Sequence, residues 1–408
     1  MNISKCRVSG EPLTHVHDFG MQALGNGFLL PEDFEEEYFF PMEIGFSEKS
    51  CMLQLINQPE PEKMFHDHYA FFSSTSKYMA KHFEEFSLTV LNSGFVTKED
   101  PFIIELGCND GILLKHFANR NMRHLGIEPS ENVAAVANAN GVETVSEFFN
   151  EELASRIVSD HGQADAFLAA NVICHIPDII IVVNGIKNLI KQTGVVIFED
   201  PYLGDIIEKT SYDQIYDEHV FLFSALSIKY LFEQVDLELI DLQRQPTHGG
   251  SMRYFLAHKG KYTPTKAVSE ILSNERILGL DKMATFEKFS EKVTESKNDL
   301  VQLLTTLKSQ GHKVVGYAAT SKSTTILNYC GIGPDLIDYI CDTTPIKQKK
   351  FTPGMHIPVR PYEEFKNNPP EYAFLFAWNH QREILDKEND FINRGGKWIT
   401  HVPKVQIL

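Results

Sequence analysis

The sequence predicts an α/β protein: a central parallel sheet covered by helices, a small β-rich N-terminal unit, and a second, smaller α/β unit at the C-terminus. Three observations carry this expectation. The chain has 408 residues, too many for one ordinary core, so two or three domains are expected. From Pro101 short apolar strands alternate with helical stretches, the pattern of a parallel sheet with helices on both faces. After a charged helical region the same alternation starts again and runs to the C-terminus.

Residues 1–70 hold many turn residues and short apolar runs, as in a small β-rich domain. INQPEPEKMFHDH reads as a proline-rich exit from it. SSTSKYMAKHFEEFSLTVLNS follows as a helix, with Ser or Thr in a capping position and apolar residues at helical spacing. FIIEL, HLGIEP, AFLAAN and GVVIFED are strands, and GILLKHFANR and ENVAAVANAN are helical stretches between them. The charged helical region covers about 265 to 310. KVVGYAA, LIDYICD, YAFLFAW and KWITHV are the strands of the last unit. The expected boundaries are 1–70, 71–260 and 261–408. No internal repeat or low-complexity tract interrupts them.

Composition narrows the class. Apolar residues make up 43% and charged residues 23%, as in a globular protein. A formal charge of -17 argues against nucleic acid, whose phosphates need a cationic face, but not against a small phosphorylated ligand. The start, MNISKCRVSGEPL, has no apolar signal-peptide core. The most apolar run, IPDIIIVVNGIKNLI, is interrupted by Asp178, Asn184 and Lys187 and is too short to span a bilayer, so no membrane partner is expected. Cys6, Cys51, Cys108, Cys174, Cys330 and Cys341 are scattered and form no C-x-x-C pair, which points to reduced thiols and a cytoplasmic location. No apolar stripe is evident, which favours a monomer.

PFIIELGCNDGILLKHF is the most informative local motif. A buried strand ends at Glu105-Leu106-Gly107, turns through Cys108-Asn109-Asp110, and meets Gly111 at the start of the expected helix. Glycines there let a ligand approach the backbone, and a helix N-terminus adds free N–H donors. The next strand ends in Gly126-Ile127-Glu128, an acid about 20 positions on, placed to bond ribose hydroxyls. The spacing is G-x-x-x-G, with Asn109 where a dinucleotide fingerprint has its second glycine. It fits the looser loop of S-adenosylmethionine (SAM) enzymes, where no pyrophosphate is cradled. Asn171, after AFLAA, and Ser76, in the SSTS run, are placed with the cofactor residues.

ELGCNDGILL, GIEPS, ANVICHIPD, EDPYLGDII, DQIYDEHVFLFS and THGGSMR occur in this order. GYAATSKSTTILNYCGI, ICDTTPIKQKKFTPGMHIPV and FLFAWNH follow. Together they closely resemble the three-domain sugar C-methyltransferases that act on nucleotide-linked 4-keto-deoxysugars. The resemblance implies a Rossmann-like class I methyltransferase domain in the middle, a zinc-binding-like domain before it, and a Rossmann-like C-terminal domain lining a nucleotide-sugar cleft. Where that family holds zinc on four cysteines, only Cys6 matches; Ser9, Ser47 and Ser50 occupy the other positions. Serine hydroxyls are poor zinc ligands, and the spacing of Cys51, His15 and His17 offers no replacement, so zinc is not expected.

Joining carbon to a methyl sulfonium needs a carbon nucleophile, which a ketone supplies as an enolate once its neighbouring carbon loses a proton. Histidine, with an ordinary pKa near 6.5, suits the base. In QIYDEHVFLF the candidates are His219 as base, Glu218 to orient a ring or hold a sugar hydroxyl, and Tyr216 to donate to the enolate oxygen. The resemblance implies the same cast and adds His175, in NVICHIPD, and Tyr69 near the reacting centre. It places His248, Ser251 and Arg253 of HGGSMR along the sugar-nucleotide cleft, with Arg253 as a clamp for phosphate or carboxylate. Lys322 is placed to meet a diphosphate at a helix start, although Ala318 and Ser323 replace the usual glycines. Lys347 is a weaker phosphate candidate in a cluster expected to be solvated. The expected reaction is methylation of the carbon beside the ketone, C3 or C5, with C3 preferred. An O- or N-methyltransferase remains the alternative. A nicotinamide oxidoreductase is disfavoured because neither α/β unit carries G-x-G-x-x-G.

Overall fold

The computed structural model describes residues 4–64, 77–96 and 99–408. The N-terminal segment forms β1 (Thr14–Ala23), β2 (Phe39–Ser47) and β3 (Met52–Leu55), paired antiparallel in that order. The tight turn between β2 and β3 uses Cys51 at φ 52°, a left-handed conformation found at turns.

The middle of the chain builds one seven-stranded sheet. β4 (Phe102–Leu106), β5 (Arg123–Ile127), β6 (Thr144–Val145), β7 (Ala164–Ala170) and β8 (Ile190–Pro201) run parallel. β4 is buried along its whole length, as a strand covered on both faces must be. Just after β8 the chain leaves this sheet: β9 (Phe221–Leu222) pairs instead with β3 of the N-terminal unit. β10 (Leu237–Gln245) and β11 (Ser251–His258) then return as an antiparallel edge. The order is β10-β11-β8-β7-β4-β5-β6. Connections from β4 go one way to β5 and the other way to β7, so a crevice opens over the carboxyl ends of β4 and β7, where ligands of such sheets bind.

The C-terminal unit contains β12 (Val314–Tyr317), β13 (Ile340–Asp342), β14 (Val359–Pro361), β15 (Tyr372–Leu375), β16 (Lys397–Thr400) and β17 (Gln406–Ile407). Their order is β14-β13-β12-β15-β16-β17, parallel except for β17. This is a second Rossmann-like sheet with its own crevice between β12 and β15.

One helical expectation needs correction. GILLKHFANR is mostly tight turns, with a helix only at Lys115–Ala118. Gly111 has φ 81°, outside the right-handed helical region, so no long helix starts at the glycine loop and no strong helix N-terminus faces it. The charged region is two helices, Lys266–Leu278 and Met283–Ser309, separated where Gly279 takes the left-handed capping conformation.

The 27-residue helix Met283–Ser309 ties the two ends of the chain together. It buries Phe286, Phe289, Val293, Ser296, Leu300, Leu304 and Leu307, steps of three and four that make one continuous stripe. Val16 and Phe46 of the N-terminal sheet and Ile326 and Ile340 of the C-terminal unit pack into the same core as this stripe. His17 closes the seam: Nδ1 lies 2.8 Å from Ser290 Oγ and Nε2 2.9 Å from Tyr329 Oη. The first and last units therefore share one apolar core.

Leu304 is fully buried in that stripe, so Leu304→Ala is expected to lower stability by about 2–5 kcal/mol, read from urea unfolding. Burial depresses the proton affinity of His17 to about 4 despite nearby Asp18. The native state then binds fewer protons than the unfolded chain between that value and about 6.5, so stability falls as pH drops through this window. His17→Gln should flatten the fall in urea midpoint across it; an unchanged slope would remove His17 from the account.

Candidate active site

The turn after β4 is held in left-handed conformations: φ is 66° at Gly107, 50° at Asn109 and 81° at Gly111. A side chain at Gly107 would collide with Val172, from the loop after β7. Glu128 grips the turn from the end of β5, accepting from Asn109 N at 3.1 Å with Oε2 and from Ser130 N at 3.0 Å with Oε1. Burial raises its pKa against those hydrogen bonds. Glu105 is buried and pushed well above the carboxylate range by burial, with Glu128 and Asp110 adding repulsion. Among the described residues, Glu105 Oε2 and Asn171 Oδ1 are buried acceptors without a donor, at the ends of the two strands that flank the crevice. Asp110 is buried beside them. Buried acceptors without donors destabilise a fold unless a ligand supplies them. The ammonium and hydroxyl groups of SAM are donors of the right kind, so the residues present fit that molecule.

The loop after β7 carries the site from this turn to the expected base. Val172 packs on Gly107, and His175, three residues on, stacks its ring 5.3 Å from that of His219. The ligating atoms of Cys174, His175 and His219 lie within 4.8 Å of one another. His219 is buried, and its Nδ1 lies 2.6 Å from the carbonyl oxygen of Gln214. A carbonyl only accepts, so Nδ1 carries the proton and Nε2 keeps its lone pair. Burial depresses the proton affinity of His219 well below the imidazole range. His175, Lys322 and His248 add to that, and the Gln214 carbonyl opposes it. Burial likewise lowers His175 to about 4. The Tyr216 ring sits 4.1 Å from that of His219.

Neighbours distant in sequence hold this segment in place. Gly25 N donates to Asp217 Oδ1 at 3.0 Å and Asn26 Nδ2 to Glu218 Oε1 at 2.8 Å. Thr324 Oγ1 donates to the Gly25 carbonyl at 3.0 Å, and Thr325 Oγ1 to that of Ile215 at 2.8 Å. A Cβ on Gly25 would press against Asp217 and Ser321, which is why a glycine stands there. Burial raises both Asp217 and Glu218; Glu218 adds repulsion at Asp217, while Asn26 and Lys347 oppose the rise at Glu218. Asp213 accepts from Trp378 Nε1 at 2.6 Å and lies 3.5 Å from His401 Nε2. Burial disfavours its charge, but His401, Lys322 and the Trp378 N–H more than offset this.

The glycine pair after β10 closes the other wall. His248 has φ 53°, and a side chain at Gly249 would enter the space of Trp378. The Gln214 amide donates to the His248 carbonyl, so one residue orients both the base and this loop. Burial and Lys322 lower His248 to about 3. Lys322 is buried at the start of the helix Ser321–Cys330, with no hydrogen-bond partner for Nζ among the described residues. Burial lowers it to about 8, with Asp213 opposing. Beside it, a cavity of about 260 Å³ sits over β12 and β13, lined by Tyr317, Asp342, Tyr362, His380 and Lys387 among others.

Other candidates are engaged elsewhere. Ser251 is fully buried and donates to the Thr247 carbonyl at 3.1 Å, closing the glycine turn. Arg253 lies across the sheet from Glu199: Nε donates at 3.0 Å, Nη2 is 2.8 Å away, and the guanidinium lies over Phe86 at 3.9 Å. It is not exposed as an anion clamp. His82 bonds the other oxygen of Glu199. Lys347 is not solvated as expected: Nζ donates to the Ala319 carbonyl at 2.8 Å. Tyr69 and Ser76 lie outside the described residues. Sequence reasoning missed Gly25, Asn26, Asp213 and Trp378. The Gly-Asn-Gly of LGNGF was a visible turn signal, but nothing local tied it to residue 218.

Three domain models match in order: a zinc binding domain over 6–65, a methyltransferase domain over 67–242, and a C-methyltransferase C-terminal domain over 246–403. The chain is 32% identical to the C-methyltransferase NovU of Streptomyces niveus over 410 residues, covering 100% of this chain and 97% of NovU. This chain belongs to the SAM-dependent C-methyltransferases. Solved structures similar to part of this C-methyltransferase include plantazolicin methyltransferase BpumL, 13% identical over 46% of this chain and 88% of that one, TM-score 0.37. Another is magnesium protoporphyrin IX methyltransferase from Synechocystis PCC 6803, 11% identical over 44% and 79%, TM-score 0.34. Among the described residues no helix is long and apolar enough to cross a membrane.

Gly107→Ala should weaken SAM binding by about tenfold or more, since a left-handed alanine costs about 1–2 kcal/mol before any clash with Val172. Calorimetric titration, with circular dichroism to confirm folding, reads the result. Unchanged affinity would place SAM away from this turn.

Proposed function

We propose that the enzyme methylates the carbon beside the ketone of a nucleoside-diphosphate-linked 4-keto-deoxyhexose, C3 in preference to C5. The observation that carries this is His219. Its Nδ1 is committed to the Gln214 carbonyl, its Nε2 lone pair is available, and the loop after β7 joins it to the glycine turn.

SAM supplies an electrophilic methyl group on sulfur. His219 Nε2 takes the proton from the substrate carbon, the electrons of that C–H bond become the enolate, and as the enolate carbon bonds the methyl group the S–CH3 bond breaks, its electron pair staying on sulfur as a neutral thioether. Tyr216 stands beside the base to stabilise the enolate oxygen, with His175 forming the adjoining wall. Lys322 is buried with no hydrogen-bond partner for Nζ among the described residues, which suits it to a diphosphate, and the neighbouring cavity over β12 and β13 accommodates the nucleoside.

An imidazole with lowered proton affinity is a weak base, and Lys322 is one of the groups that weaken it. A diphosphate at Lys322 neutralises that charge. Substrate binding thus strengthens the base in the complex that needs it.

The test offers SAM and a nucleoside-diphosphate 4-keto-6-deoxyhexose in deuterated water. The expected product has a new C-methyl group and has lost the hydrogen beside the ketone. Methyl on oxygen or nitrogen would defeat the reading. His219→Asn should reduce turnover by about 10²–10⁴-fold while leaving SAM affinity intact. The acid limb of kcat, which reports the complex, should lie at higher pH than that of kcat/KM; coincident limbs would remove Lys322 from the account.

A further inference from the structure

The N-terminal unit has two turns of equal spacing, Cys6-x-x-Ser9 before β1 and Ser47-x-x-Ser50 between β2 and β3. The fold brings them face to face. Cys6 Sγ lies 3.2 Å from Ser50 Oγ, and Ser9 Oγ lies 3.3 Å from Ser47 Oγ. The Ser9 backbone N–H donates to Cys6 Sγ at 3.4 Å, and Gly10 N closes the first turn on the Cys6 carbonyl at 2.9 Å. Cys6, Ser47 and Ser50 are buried.

Four short side chains converging from two such turns is the arrangement in which four thiolates hold a structural zinc. The donors present do not fit that ion. Three of the four are neutral hydroxyls, whereas closed zinc sites use thiolate or imidazole. Among the described residues the other candidate ligands are committed elsewhere. His15 pairs with Glu43 at 3.1 Å, His17 is committed to Ser290 and Tyr329, and Cys51 Sγ turns to the Glu48 carbonyl at 3.7 Å.

We propose that hydrogen bonds have replaced the metal here. The Cys6–Ser50 and Ser9–Ser47 pairs tie the two turns across 44 and 38 residues, and the core shared with the long helix supplies the stability a zinc site would otherwise contribute. The domain folds without zinc but keeps the geometry of a zinc site. Three substitutions, Ser9→Cys, Ser47→Cys and Ser50→Cys, therefore suffice to restore one.

The experiment uses the full chain. Zinc content and thermal melting, with and without EDTA, are compared for the wild type and the triple variant, with cobalt(II) as the spectroscopic probe. The wild type should carry essentially no zinc and melt identically with and without chelator. The triple variant should bind about one metal per chain, show thiolate-to-cobalt charge transfer, and melt lower on chelation. One zinc per wild-type chain that is lost in Cys6→Ser, or a chelator-sensitive wild-type melt, overturns the metal-free claim. A folded triple variant that binds no cobalt overturns the claim of retained geometry. So does one that folds neither with nor without zinc, since each change only exchanges oxygen for sulfur.

Discussion

Everything in the site depends on how one segment, residues 212–223, is held by all three parts of the chain. Asp213 is gripped by Trp378 and His401 of the C-terminal unit, and Ile215 by Thr325. Asp217 and Glu218 are gripped by Gly25 and Asn26 of the N-terminal unit. Phe221 and Leu222 are stitched into the N-terminal sheet as β9, and Leu203 N ties the Phe223 carbonyl back to the central unit. The base sits in the middle of this span. Its orientation and the mutual placement of the three units are one constraint.

That constraint explains the mixture of polar and apolar residues in QIYDEHVFLF. The apolar half builds a strand between two units, and the polar half must then be buried next to it. Buried polar groups require partners: Asp217 and Glu218 find theirs in the N-terminal unit, Gln214 at the His248 carbonyl, and His219 at the Gln214 carbonyl within the segment. The result is a site in which burial favours the neutral forms of His175, His219 and Asp217. Glu199 is the contrast: burial disfavours its charge, yet His82 and Arg253 keep it ionised, and this closed ion pair braces β8 against β11 beside the crevice.

The long helix plays a comparable part for the fold. One apolar stripe serves both the first and the last unit, so neither has to stabilise itself alone. A small antiparallel sheet is marginal by itself, and domains of that size commonly rely on a metal. Sharing a core relaxes that need, which is consistent with serines standing where the family model carries a zinc binding domain.

The sequence by itself determined the local features. Apolar runs marked the strands of both parallel sheets, and positive-φ glycines marked the turn after β4, because period and backbone freedom are properties of neighbouring residues. The order of motifs was enough to indicate the family. What only the tertiary structure decided is which charged groups have partners and which await a ligand. Arg253 looked like an anion clamp but is paired across a sheet with Glu199, whereas Lys322 is buried without a hydrogen-bonding partner among the described residues. Glu218 meets Asn26 across 192 residues, and Asp213 meets Trp378 across 165. A pairing of that kind leaves no periodic trace, because it depends on where whole elements pack and not on the residues beside it in the chain.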